Sequence, residues 1–303
     1  MAKITVVGGI NIDIEGRPNN KLIEQDSNIG RVTMAHGGVG RNITENLARF
    51  GADCAMLSLV GNDQMGLGAR AELESLGVDV SRVFIRPDLR TSVYLSVLDD
   101  SGDMAVGIND MGIVDEITPK LLTENAEFLK QSEVVALDGN LTSELMDFAT
   151  TMLAGQKLFY DPVSVNKGVR AKDFIGRFYA IKPNIMEAEV LLGHPIETEA
   201  DIELAADEFI AKGVKKVFIS LNKDGVYFKD ETDSGFMRPH KNLKIVSATG
   251  AGDAFSACVI MGISQNMTIR QIAELGLAAS EVAMESNEAV NKNTSLDEIR
   301  RRL

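Results

Sequence analysis

Cysteine is scarce in this 303-residue chain, which holds two, Cys54 and Cys258, each inside an apolar run. Two thiols so placed exclude a disulfide framework and a cysteine-built metal site; the expectation is buried packing residues in a reducing compartment. Positive charge is also short: 31 Lys and Arg stand against 44 Asp and Glu, a formal net charge of −13. Long-range repulsion then disfavours nucleic acid and anionic membranes as partners. An anionic small substrate is still allowed, because it feels local dipoles, single lysines and Mg²⁺ more than the global field. No apolar run approaches bilayer length, and residues 1–7 are too short an apolar stretch for a signal peptide, so a cytoplasmic protein is expected. The three histidines, His36, His194 and His240, have no metal-ligand spacing. There is no GxxxxGK[ST] P-loop, no internal repeat and no low-complexity tract.

What is present is the composition of a globular protein with a real core, 45% hydrophobic and 25% charged. Strand-like and helix-like segments alternate almost from end to end. Strands are expected at 4–8, 55–60, 133–138, 157–161, 180–182, 216–221 and 226–228. Helices are expected at 41–50, 66–76, 143–154, 185–192, 202–211, 251–264, 269–284 and 296–301. That rhythm implies an α/β fold, a mainly parallel sheet covered by helices on both faces in a three-layer α/β/α sandwich. Two regions break it. Residues 11–34 lack a helical period and contain the turn Pro18-Asn19-Asn20. Residues 91–108 alternate about the turn Asp99-Asp100-Ser101-Gly102, a hairpin pattern. Strands inserted at about 11–36 and 88–112 suggest a small β-sheet lid on a single domain spanning 1–303. An exposed lid sheet needs cover, which makes a homodimer through the lids the expected assembly.

The chemistry concentrates at strand ends. Ser247-Ala248-Thr249-Gly250-Ala251-Gly252-Asp253 leaves the backbone almost bare before an apolar helical run. Its N–H groups can hold an anion at the positive end of the helix dipole, and Asp253 sets a carboxylate beside that anion, where a base for an attacking hydroxyl belongs. Read alone, the segment is equally an ordinary helix entry with a first-turn acid. Asn11-Ile12-Asp13 follows the first strand, where ligands collect in parallel sheets, and Asp13 suits a pair of sugar hydroxyls or a polar turn. Gly37-Gly38-Val39-Gly40-Arg41-Asn42 opens a helix but lacks the third glycine of a dinucleotide fingerprint. Asn184 and Glu187 lie three apart at a helix start, spaced either to cap it or to organise Mg²⁺ through water. Ser220, Asn222 and Gly225 close a strand in a turn that could border a nucleotide or be an ordinary turn.

In their order, these motifs resemble the ribokinase-like, or PfkB, family of carbohydrate and nucleoside kinases along essentially the full chain. The matching residues are Asn11-Ile12-Asp13, Gly37 to Asn42, Lys182-Pro183-Asn184 with Glu187, and Thr249 to Asp253. The segments 38–43, 94–99, 108–111 and 161–164 are similar to the bacterial pseudouridine kinases within it. The resemblance implies ATP and Mg²⁺, with transfer of the γ-phosphate to a sugar 5′-hydroxyl. It makes Asp253 the base and Gly250, Ala251 and Gly252 the anion hole. It gives Asp13, Gly38 and Asn42 to the ribose hydroxyls, with Val39 and Gly40 as further substrate-binding candidates. Asn184 and Glu187 go to the Mg²⁺–phosphate motif, and Ser220, Asn222 and Gly225 to the nucleotide. Asn11, Tyr94, Asn109, Asn140 and Lys167 are candidates to contact the nucleobase. Two departures stand out. Ser247 replaces the Asp that supports a monovalent-cation site in many members, which puts potassium activation in doubt. Asn222 stands where the nucleotide turn usually has glycine. The alternatives are a kinase of another nucleoside or of ribose, and a nucleoside-binding regulator without catalysis.

Overall fold

The computed structural model describes residues 4–240, 243 and 245–303. Its strands are β1 (Ile4–Val7), β2 (Asn11–Pro18), β3 (Gly30–Gly37), β4 (Cys54–Gly61), β5 (Asp79–Arg86), β6 (Ser92–Leu98), β7 (Met104–Asp110), β8 (Val134–Asp138), β9 (Lys157–Asp161), β10 (Ala180–Ile181), β11 (Lys216–Ser220), β12 (Val226–Lys229) and β13 (Ser234–Met237). Nine form one sheet in the order β13-β12-β11-β10-β9-β8-β1-β4-β5, and four form a second in the order β3-β2-β6-β7. The large sheet is parallel from β5 through β11. It becomes antiparallel only at the β11-β12-β13 edge, where short connections allow hairpins.

The three layers follow from period-two side-chain alternation along strands buried on both faces. Ile4 and Val6 of β1, Met56 of β4, Val134 and Ala136 of β8 and Phe159 of β9 enter one apolar cluster with the helices Val39–Arg49, Ala251–Ser264 and Ile269–Ala283. Val7, Leu57, Val135, Leu137 and Tyr160 point to the opposite face and pack with the helices Ser143–Met152, Ile185–Leu192 and Glu199–Lys212. Cys54 and Cys258 are buried free thiols, and burial pushes the Cys54 thiol up to about 12. They are inert packing groups, as their apolar settings imply.

Strand order fixes where a site can form. The chain runs from β1 outward through β4 to β5, then returns to the other side of β1 with β8 and continues through β9 to β11. The crevice at the carboxyl ends of β1 and β8 is therefore the topological switch point, where open α/β sheets bind ligands.

The small sheet departs from the large one directly after β1. Register places Asp13 opposite both Ala35 and Tyr94, and Tyr94 opposite Asn109, so Asp13, Tyr94 and Asn109 share one face. The other face carries Ile14, Met34, Val32, Leu95, Val97, Ile108 and Val106 in adjacent rows. Among these, Val32 is 67% and Ile108 57% exposed.

Candidate active site

Two glycines make the site's backbone possible. Gly250 caps the helix Ala251–Ser264 with φ of 79°, and a Cβ there would lie 1.7 Å from the Ala289 carbonyl oxygen. Gly38 starts the helix Val39–Arg49 with φ of 100°, and a Cβ there would lie 2.5 Å from the Gly9 carbonyl oxygen. Only glycine meets both demands.

The two helix starts then differ. Around Gly38 the first N–H groups are already spent: Gly40 donates to Asp138 Oδ2, Arg41 to the Gly9 carbonyl and Asn42 to the Gly38 carbonyl. At Ala251 no side chain caps the helix. The helices at Gln64, Ser143, Ile185, Glu199 and Ile269 all have side-chain caps. At the start of Ala251–Ser264 the Ala251 N–H meets the Ala248 carbonyl at a long 3.4 Å, and the uncapped end offers its remaining N–H groups and a positive dipole end to an anion.

Asp253 sits in the first turn of that helix and meets Asn42, whose Nδ2 donates to Asp253 Oδ2 at 2.9 Å. The residue is partly exposed at the helix start, while its carboxyl is enclosed by protein atoms. Burial, then the nearby Asp161 charge, push this carboxyl up to about 7, against the bond from Asn42 and the Lys182 ammonium. A carboxylate tuned to neutral pH is matched to general-base work.

Three buried groups that end apolar strands or follow them surround it. Asp138, the last residue of β8, accepts from the N–H groups of Gly9, Gly40 and Asn140 at 2.9 to 3.0 Å and from Asn140 Nδ2 at 3.1 Å. Burial raises its pKa against those bonds. Asp138 thus ties the switch-point loop of β1 to the helix carrying Asn42. Asp161 ends β9 and accepts from Ser256 Oγ at 2.6 Å and Val163 N–H at 3.0 Å. Lys182 follows β10, with Nζ 3.5 Å from Asp161 Oδ2.

The residues singled out in the sequence fall into connected groups. Asn11 Nδ2 donates to Asp13 Oδ1 at 2.6 Å. Burial raises the Asp13 pKa, opposed by that bond and by the Arg41 charge. Lys167 Nζ donates to Asn140 Oδ1 at 2.5 Å, and burial lowers its pKa. Tyr94 gives its hydroxyl to Met104 Sδ at 3.1 Å. Asn184 and Glu187 make a full capping box: Glu187 N–H donates to Asn184 Oδ1 and Asn184 N–H to Glu187 Oε2, both at 2.9 Å. Glu187 is buried, and burial and Asp161 raise its pKa. Asn184 bridges to Ser220, bringing the Ser220–Gly225 turn alongside. Asn222 there has φ of 53°, a left-handed conformation that Asn tolerates better than other residues with a Cβ. Ser247 Oγ accepts from Thr249 N–H at 3.1 Å, a local turn bond.

Sequence reasoning gives no role to Asp138 or Arg41. The signal for Asp138 is an acid closing a wholly apolar strand, Val-Val-Ala-Leu-Asp, since unpaired acids are almost never buried without purpose. Arg41 carries no such signal. Its Nη1 donates to Asn42 Oδ1 at 3.2 Å and to the His36 carbonyl at 3.1 Å, and it pairs with buried Glu45 and with Glu72. It holds the Asn42 amide so that Nδ2 faces Asp253.

A model of the pfkB family carbohydrate kinases matches residues 1–296. The chain is 34% identical over 294 residues to a pseudouridine kinase of Escherichia coli, covering 97% of this chain and 94% of that one. The crystal structure of a putative sugar kinase from Clostridium perfringens superposes with a TM-score of 0.89 at 29% identity, covering 99% and 95% of the two chains. Arabidopsis thaliana ribokinase, solved with ribose and ATP, has the same fold with a TM-score of 0.88 at 19% identity, covering 99% and 98%.

Proposed function

The chain belongs to the pfkB family of carbohydrate kinases and is a phosphotransferase acting on an alcohol group of a sugar or nucleoside; on that premise we propose that it phosphorylates the 5′-hydroxyl of pseudouridine, using ATP. The observation that carries the reading is the junction of Asn42, Asp253 and the uncapped helix start, an acceptor side and an anion site meeting at one neutral-tuned carboxylate.

The acceptor side is built on β2, β6 and β7. Asp13, held by Asn11, takes two ribose hydroxyls, with Gly38, Val39 and Gly40 on the same acceptor side. Pseudouridine joins its base through carbon and so exposes ring N–H groups that need polar partners. Tyr94 and Asn109 share the Asp13 face, and Asn140 with Lys167 stands across the switch point. The identity to a pseudouridine kinase supports the same substrate.

In the reaction, Asp253 accepts the proton of the 5′-hydroxyl as its oxygen bonds to the γ-phosphorus. The bond from that phosphorus to the β,γ-bridging oxygen breaks, and its electron pair leaves on ADP. The N–H groups of Gly250, Ala251 and Gly252 stabilise charge on the phosphoryl oxygens in transit. The Ser220–Gly225 turn and Asn184 face the nucleotide.

Mg²⁺ fits this site through water. Among the described residues no cluster of three acidic, His or Cys groups forms a direct metal cage. Asn184 and Glu187 are hard oxygen donors, and the capping bonds use only one Glu187 oxygen. Mg²⁺ keeps several waters and takes few protein ligands, so Glu187 and Asn184 would hold its hydration shell while it neutralises phosphate charge.

A homodimer through the small sheets is supported by the outward row of Val32, Met34, Val106 and Ile108, an exposed apolar face on a sheet with open edges. Purified protein with Mg²⁺-ATP and a panel of nucleosides and sugars tests the substrate. Pseudouridine should give the highest kcat/KM, and much faster turnover of ribose or adenosine would overturn the assignment.

A further inference from the structure

Lys182 is 6% exposed and has a single carboxylate contact, to Asp161, at 3.5 Å. Another lysine pair shielded from solvent, Lys216 with Asp230, closes to 2.6 Å. Asp161 is moreover already bonded by Ser256 Oγ and Val163 N–H. The Lys182 ammonium is thus not consumed by a tight pair, and it keeps donors to spare.

Its direction is informative. Nζ lies 3.4 Å from the point where a Cβ on Gly252 would sit, beside the second residue of the uncapped helix. The carboxylates of Asp161, Glu187 and Asp253 lie around the ammonium. These are three carboxylates around a site that must admit a polyanion, with Lys182 among them. A buried charge in a loose pair is a net cost to folding, and a charge aimed at the site of charge transfer is a reason to keep it.

We propose that Lys182 is a catalytic residue, its ammonium contacting the oxygens of the phosphoryl group as it passes over Gly252. This deepens the kinase reading and rests on it. In the transfer, the acceptor oxygen bonds to the γ-phosphorus, the bond to the bridging oxygen breaks with its pair leaving on ADP, and the hydroxyl proton goes to Asp253. Lys182 keeps its own proton throughout. It binds the γ-phosphoryl oxygens of ATP, which ADP lacks, and it also favours the ionised form of Asp253.

The test compares Lys182→Met, Asp161→Asn and the double variant, reading turnover, melting temperature and Mg²⁺-ATP against Mg²⁺-ADP affinity by calorimetry. Lys182→Met should lose about 10²- to 10³-fold in kcat, the scale of removing one preorganised donor. It should weaken ATP about tenfold more than ADP. The double variant removes both charges and so keeps the fold balanced; it should recover melting temperature while kcat and the preference for ATP remain lost. If the double variant turns over like Asp161→Asn alone, or if ATP and ADP weaken equally, Lys182 merely balances Asp161 and the proposal fails. Nucleotide affinity is read without any acceptor. A wild-type protein that phosphorylates no sugar or nucleoside would therefore remove the kinase reading and not be confused with failure of the lysine's role.

Discussion

Two substitutions around Asp253 should move its titration in opposite directions. The carboxyl stands near 7 because burial and Asp161 raise it while Asn42 and Lys182 lower it. A base works only when ionised, so kcat/KM should rise through an acid limb near pH 7 and level off above it. Asn42→Ala removes a 2.9 Å hydrogen bond to the ionised form. Such a bond to a charged group is worth about 1.5 to 3 kcal/mol, and one pK unit is about 1.36 kcal/mol. With water replacing part of the bond, the limb should move up by about one unit. Asp161→Asn removes a like charge and should move the limb down by on the order of one unit. The assay is kcat/KM between pH 5.5 and 9 with product read by mass, which reports the free enzyme. An unmoved limb in both variants, or movement of both in the same direction, would refute the reasoning that Asp253 is the titrating base.

The same carboxyl has a stability consequence. Its folded pKa lies above the unfolded value of 3.8, so between those two values the folded state binds more protons, and stability falls as pH rises from about 4 to about 7. Asp253→Asn should therefore melt several degrees higher than wild type at pH 8 and close to it at pH 4, by thermal denaturation, while losing most turnover. Gly250→Ala drives a Cβ into the Ala289 carbonyl and forces φ of 79° on a non-glycine residue. It should lower the melting temperature and cut kcat about 10²-fold or more, as loss of the oxyanion donors requires; a variant with wild-type turnover would mean that the helix start does not hold the phosphoryl group. Asn222→Gly relieves a left-handed Asn and should change melting by little while leaving ATP affinity within a few-fold by calorimetry. Val32→Glu with Ile108→Lys should yield monomers by sedimentation if the small sheets pair, and an unchanged sedimentation coefficient would refute that pairing.

The layered plan is readable from sequence where strands are buried on both faces, because Ile4–Val7 and Lys157–Asp161 are near-continuous apolar runs. β5 escapes such reading: Asp79, Arg82 and Arg86 interrupt its apolar residues, as an edge strand with one open face allows. The β12-β13 hairpin departs from the parallel rhythm for the same edge-related reason. At the site, the motifs that bend the backbone are legible, since Gly250, Gly38 and the Asn184–Glu187 capping box leave local signatures. The groups that tune Asp253 are not. Asp161 and Lys182 are separated from it by 92 and 71 residues, and only the folding of β9 and β10 beside the Ala251 helix brings their charges to bear. The Asn184–Glu187 pair illustrates the reverse case, a cap announced by its local spacing, whose two side chains the proposed phosphate-facing role would share.

The central claim is transfer to the 5′-oxygen at Asp253. Wild-type protein incubated with pseudouridine and Mg²⁺-ATP, followed by phosphorus NMR of the product, tests it most directly. The account predicts a monophosphate ester coupled to the 5′-methylene protons, absent from the Asp253→Asn reaction. Phosphate on a ring hydroxyl, the same product from Asp253→Asn, or release of inorganic phosphate alone would contradict it.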